Sequence, residues 1–146
     1  GAEVKRVVEP GQQAEGGHDR APVWPPLPTT EDRNILITSA LPYVNNEPHL
    51  GNIIGCVLSA DVYARFCRAR LHNTLFVCGT DEYGTATETK AFQEKMTCEE
   101  ICNKYHALHS DIYKWFGICF DEFGRTSTHR QTRVAQEIFN DVHAQG

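Results

Sequence analysis

Apolar positions along this chain alternate between two kinds of spacing. Asn34-Ile-Leu-Ile-Thr-Ser-Ala40 is a short β-branched and apolar run with no helical period, which predicts a strand buried on both faces. From His49 to about Arg70 the apolar residues recur at Leu50, Ile53, Ile54, Val57, Leu58 and Ala64, the spacing of an amphipathic helix. Asp61 falls on that apolar stripe with Arg65 one turn on, and the spacing permits a structural ion pair. Asn73 to Gly79 (N-T-L-F-V-C-G) predicts a second buried strand. Between the first strand and the helix, Leu41 to Pro48 carries two prolines and an Asn pair, so it reads as a loop.

The second half continues the alternation. Three hydroxyl residues precede a Glu or Gln by three positions, Thr85 with Glu88, Thr97 with Glu100 and Thr128 with Gln131. Each pair predicts a capping box at a helix start. Gly117 should end the helix that begins at Thr97, and Cys119 to Phe123 reads as a third strand. Strand, helix, strand, helices, strand, helix is the order of an α/β protein with a parallel sheet. Residues 33–146 are therefore expected to form the first, incomplete half of such a nucleotide-binding domain. Residues 1–32 differ: Gly, Gln and Glu are followed by A-P-V-W-P-P-L-P-T-T. Prolines at that density break helices and central strands, which predicts a disordered Pro/Gly-rich linker.

Composition narrows the class only a little. The 146 residues carry a net charge of −5 with histidine neutral, a poor match to bulk phosphate neutralisation. A nucleic-acid partner would need its main basic contacts elsewhere. The six cysteines, Cys56, Cys67, Cys78, Cys98, Cys102 and Cys119, form no Cys-x-x-Cys pair, and reduced thiols in a cytoplasmic protein are expected. No apolar stretch suggests a membrane span.

The loops carry the chemistry. In an open parallel sheet, ligands bind at the carboxyl ends of strands beside helix N-termini. Leu41–Gly51 and Gly79–Gly84 occupy that place after the two strands. A helix beginning His49-Leu-Gly-Asn52 offers free N–H groups and a partial positive charge to a phosphate, and His49 adds a donor. Gly51 removes a side chain where a base could approach. On spacing alone the plainer readings prevail: His49 an ordinary surface residue, Asp81 a turn or cap carboxylate and Tyr43 a half-buried loop aromatic. Neither a Gly-x-x-x-x-Gly-Lys-Ser/Thr loop nor a Gly-x-Gly-x-x-Gly fingerprint is present.

The two loops taken together are more specific. Thr38-Ser-Ala-Leu-Pro-Tyr-Val-Asn-Asn-Glu-Pro-His-Leu-Gly-Asn52 resembles the first signature of class I aminoacyl-tRNA synthetases in its methionyl form. Gly79-Thr-Asp-Glu-Tyr-Gly-Thr85 resembles the loop that follows it, and Ser127-Thr-His129 also matches. The resemblance runs from Arg33 to Gly146. It implies a Rossmann-like catalytic domain of the eukaryotic cytosolic type, which activates methionine with ATP (with Mg2+) and transfers it to tRNA(Met). By the resemblance His49 contacts ATP phosphate, Gly51 lies under the adenine, and Asn52, which replaces a second histidine of many relatives, assists. Ala40, Leu41 and Tyr43 would line the methionine pocket and Asp81 would bind the α-ammonium. Tyr83 replaces a histidine and receives no role. Assembly with other synthetases through a preceding N-terminal region is also implied. The second signature, Lys-Met-Ser-Lys-Ser, is absent from these residues. The alternative is a non-catalytic fragment that keeps only the ATP and methionine loops, and these residues alone are expected to be inactive.

Cys98, Cys102, His106 and His109 recur at three- and four-residue steps and are zinc-ligand types. Strung along one straight helix they span about three turns at 1.5 Å per residue, too far for one tetrahedral ion. The expectation is no metal, a reduced core face and two surface histidines.

Overall fold

The computed structural model describes residues 28–30 and 33–146. The expected linker therefore lies outside the described residues except for Pro28–Thr30, where Thr29 donates its N–H to the Asn34 side chain at 2.9 Å. The element order is β1 (Asn34–Thr38), α1 (Leu50–Asn52), a π turn (Ile53–Leu58), α2 (Ser59–Ala69), β2 (Asn73–Thr80), α3 (Thr85–Glu94), α4 (Cys98–Trp115), β3 (Glu122–Arg125) and α5 (His129–Gln145). The three strands form one parallel sheet in the order β1-β2-β3. The α/β reading holds, and two strands and their connecting helix stand where the spacing put them.

The third strand starts later than expected, and side chains explain why. The Cys119 N–H donates to Asp61 Oδ1 at 2.8 Å. Asp121 Oδ2 accepts the Phe76 N–H at 2.6 Å and Arg68 at 2.8 Å. Residues 119–121 thus meet α2 and β2 largely through side chains, the Asp121 N–H also donating to the Phe76 carbonyl at 2.8 Å, and ladder pairing begins at Glu122 opposite Val77. Asp61 forms the expected pair with Arg65 at 2.6 Å, so one buried carboxylate ties α2 to the approach of β3.

Alternate residues of a strand face opposite ways, and only one face of this sheet is well covered. Ile37, Phe76 and Cys78 pack with Ile53, Val57, Ala64 and Cys67 of the first helical stretch and Tyr113 of α4. Leu36, on the other side of β1, is 66% exposed. Burial on both faces, as the apolar run suggested, is therefore not met among the described residues. A second cluster joins Val44, Ala91, Ile101, Cys102 and Tyr105, so a residue of the first loop is part of the core beneath α3 and α4.

Of the three capping boxes, Thr97–Glu100 forms in both directions. Thr128 accepts the Gln131 N–H at 3.2 Å as a simple N-cap. Thr85 does not cap: the N-cap of α3 is Gly84 at φ 115°, with no side-chain bond. Gly117 follows α4 at φ 69°, as its place after the helix requires. By length and hydropathy Leu50–Ala69 could cross a membrane, contrary to the sequence expectation. Here it carries buried Asp61 and packs its Val57, Ala64 and Cys67 against the sheet.

Candidate functional site

The carboxyl ends of β1 and β2 continue as two loops that are bonded to each other. Asp81 pairs with Tyr43 in a parallel bridge. The Asp81 N–H donates to the Pro42 carbonyl at 2.8 Å, and the Val44 N–H donates to the Asp81 carbonyl at 3.3 Å. Val44 is wholly buried in the second core cluster. The first loop, read from its prolines and asparagines as irregular, is therefore pinned at its centre by backbone bonds and an apolar plug.

At the far end of that loop His49 is the N-cap of the helix. Its Nδ1 accepts the Asn52 N–H at 3.3 Å, while Asn52 Oδ1 accepts the His49 N–H at 3.3 Å. This is a capping box built from His and Asn, an unusual pair for it, since a Ser or Thr cap with Glu or Gln is the common form. With Nδ1 accepting, the ring proton sits on Nε2, the nitrogen left to meet a ligand. A Cβ on residue 51 would come within 2.9 Å of the His49 ring, so Gly51 is what lets the imidazole fold back over its own helix. The π turn follows at once; such turns inside helices are frequent at functional sites.

Two adjacent acids at the end of β2 have opposite surroundings. Asp81 is half-buried and its carboxylate receives only long contacts, 3.5 Å from the Tyr83 N–H and from Thr126 Oγ1. It lies against a cavity of about 710 Å³ whose other walls include Tyr83, Gln131, Thr132 and Phe139. Glu82 is buried and fully engaged. It pairs with Arg125 Nε at 2.7 Å, accepts from Thr80 Oγ1 at 3.0 Å and from Ser127, and its N–H donates to Thr126 Oγ1 at 2.9 Å. Burial opposes its charge, but the bonds from Arg125, Ser127 and Thr80 outweigh that and hold the carboxyl below the ordinary range. Where β2 meets β3, a Cβ on Gly79 would lie 2.6 Å from the Gly124 carbonyl, so only glycine admits this approach.

The face of α4 that carries zinc-type residues is divided. Cys98 is exposed and Cys102 buried, with burial, aided by Glu82, pushing the Cys102 thiol up to about 11. A thiol so held is a weak ligand. The expectation of two surface histidines is wrong. His106 is half-buried, 2.8 Å from Thr80 Oγ1 and stacked on Phe123. His109 is 1% exposed and bonds both Tyr113 and the Asn46 carbonyl. Spacing places them on one face; it cannot say that a loop 63 residues away covers that face. No group of three or more His, Cys, Asp or Glu side chains that could hold a metal exists among the described residues.

The structure thus brings Tyr43 to Asp81, and His49 to Gly51 and Asn52. Ala40, Leu41 and Tyr43 stand exposed, so no closed apolar pocket surrounds them among the described residues. Glu82, Arg125 and the α5 wall of the cavity were missed. The motif Gly-Thr-Asp-Glu names Glu82, but nothing local says which of two neighbouring acids turns inward.

A profile of the family described as tRNA synthetases class I (M) matches residues 35–146. The chain is 66% identical over 122 residues to the cytoplasmic methionine–tRNA ligase of Homo sapiens, covering 84% of this chain and 14% of that protein. It is 65% identical over 120 residues to the cytoplasmic methionine–tRNA ligase of Saccharomyces cerevisiae, covering 82% of this chain and 16% of that one. The chain therefore spans only about one-seventh of the length of these curated relatives. In structure it resembles Mycobacterium tuberculosis methionyl-tRNA synthetase in complex with methionyl-adenylate. That match has a TM-score of 0.74 at 24% identity and covers 77% of this chain and 22% of that one.

Proposed function

The chain belongs to the class I (M) family of tRNA synthetases, and from that premise we propose that residues 33–146 form the N-terminal part of the catalytic domain of a cytoplasmic methionine–tRNA ligase. In this reaction a methionine carboxylate oxygen attacks the α-phosphorus of ATP and pyrophosphate leaves. The tRNA 3′-terminal hydroxyl then attacks the adenylate carbonyl and AMP leaves. No side chain need become covalently attached, so the protein acts by positioning and by stabilising charge.

The observation that carries this reading is the cross-strand bonding of Pro42 and Val44 to Asp81. It holds a histidine-capped helix start and a carboxylate at the carboxyl ends of adjacent parallel strands, where such sheets bind ligands. His49 Nε2–H and the helix N-terminus meet the ATP phosphates, with Asn52 fixing the ring and Gly51 clearing space beside it for the base. Asp81, whose carboxylate receives only 3.5 Å contacts, takes the methionine α-ammonium, while Ala40, Leu41 and Tyr43 supply apolar and aromatic surface for the thioether. Mg2+ arrives on the nucleotide as part of the substrate. The net charge of −5 over the 146 residues is a poor match to phosphate neutralisation, so the reading includes principal tRNA contacts outside this sequence. Association with other synthetases, and a linker over residues 1–32, are parts of the reading that rest on the sequence alone.

Methionine-dependent exchange of pyrophosphate into ATP by the full-length protein tests the proposal. Exchange with methionine and not with leucine or isoleucine is expected. Exchange driven by another amino acid, or by none, would overturn it.

A further inference from the structure

His109 lies outside the loops described above, yet it is a buried side chain whose ring reaches from α4 to the loop that ends in His49. Both ring nitrogens are committed. The Asn46 carbonyl can only accept, so Nε2 donates to it at 3.0 Å, and Nδ1 is then left to accept from the Tyr113 hydroxyl at 3.1 Å. Burial holds the Tyr113 hydroxyl above its ordinary range, so it keeps the proton this arrangement needs. The two partners force a single neutral tautomer, and burial holds the imidazole below its usual value even though the Asn46 bond favours charge. A neutral ring with one N–H fixed by its neighbours is a rigid directional tether.

The tether's place in the loop gives it consequence. The segment Pro42–Val44 is held by its own bonds to Asp81, and the helix after His49 is closed by Asn52. Between these lies Asn45–Pro48, which the His109 bond joins to the rest of the fold. Without it, His49 would stay capped on its helix while the approach to that helix lost its register against the sheet.

We propose that His109 is a positioning residue that sets His49 against the ATP phosphates by holding the Asn46 carbonyl; it touches no reacting atom. The inference rests on the reading of His49 as an ATP-phosphate ligand. Because Tyr43 and Asp81 are fixed independently, loss of the tether should slow adenylate formation and leave the methionine KM nearly unchanged.

The test compares two variants in the full-length protein. His109→Phe keeps a ring of similar size and removes the donor; His109→Gln places an amide N–H near the position of Nε2. His109→Phe is expected to lower kcat for pyrophosphate exchange by about ten- to a hundred-fold, the scale of a small misplacement of a catalytic group. His109→Gln is expected to restore most of it. Backbone order parameters at residues 45–47 should fall in His109→Phe and stay high in His109→Gln, with amide exchange at Phe76 and Ile101 unchanged in both. A His109→Phe enzyme within twofold of wild type overturns the proposal. So does a loss shared equally by both variants together with faster exchange at Phe76 and Ile101, which is the signature of a merely structural residue. If wild type shows no methionine-dependent exchange, the functional reading fails instead; the contrast in backbone order at residues 45–47 still decides whether the tether exists.

Discussion

The loops after β1 and β2 sit side by side and are held by different physics. The first keeps its candidate side chains exposed and is fixed by backbone bonds, by buried Val44 and by the His109 ring. The second turns one acid outward and buries the next: Asp81 faces a cavity while Glu82 is enclosed by Arg125, Ser127 and Thr80. A loop that must present several groups to a ligand is anchored through atoms that carry no specificity. A loop that presents one group can use its neighbour as a charged anchor. Adjacency in sequence therefore says little about role at a strand end, because successive side chains point to opposite faces.

The largest expected effect comes from asking whether the two loops suffice. Residues 33–146 expressed alone should give no methionine-dependent pyrophosphate exchange above background. The apolar stripe of α5, with Ile138, Phe139 and Val142 exposed, and the open Leu36 face of β1 leave large apolar areas uncovered, which favours association. Amide exchange would first confirm order, and turnover near that of the full-length protein would show that the machinery is misplaced.

Glu82 and Asp81 then separate anchor from ligand. Glu82→Ala strands Arg125 in a mostly buried position, and breaking such a pair costs about 3–5 kcal/mol. Native-state hydrogen exchange should show β2 and β3 opening more easily by that amount. Unchanged protection would mean that the Glu82 cluster anchors nothing. His49→Ala should slow adenylate formation by about 10²- to 10³-fold, the loss expected for one transition-state donor, with methionine binding little altered; exchange kinetics at saturating methionine check this. Asp81→Ala should cost about 2 kcal/mol or more in methionine handling and leave β2 protection unchanged, the reverse of Glu82→Ala. A methionine KM and rate that both survive would remove Asp81 from the site.

The smallest effect is the response to acid. His106 and His109 are both held below their ordinary value, burial being the main cause. A histidine whose folded value is depressed binds fewer protons folded than unfolded, so its contribution is present above about 6.5, the unfolded value. It is lost as the pH falls through the folded values. Opening of α4 should become easier between pH 7 and 5, and the slope should flatten in His109→Gln. Glu82, also held low, adds its loss only in the more acid range, below about 4.3, the ordinary glutamate value.

Local, periodic signals in the chain were enough for the parallel α/β order, the β2 strand, the Thr97 box and the Asp61–Arg65 pair. They also carried the family, because Ala-Leu-Pro-Tyr, His-Leu-Gly and Gly-Thr-Asp-Glu occur together at the right elements. Which of Asp81 and Glu82 is free emerged only from the folded arrangement, as did the capping of His49 by Asn52 with Gly51 making room. Pairing between distant strands likewise shifts β3 to Glu122, because Asp61 and Asp121 take hydrogen bonds the ladder would have used. The same holds for His109: helical spacing can put a histidine on a face, but whether that face meets water or the Asn46 carbonyl depends on contacts between residues far apart in the chain.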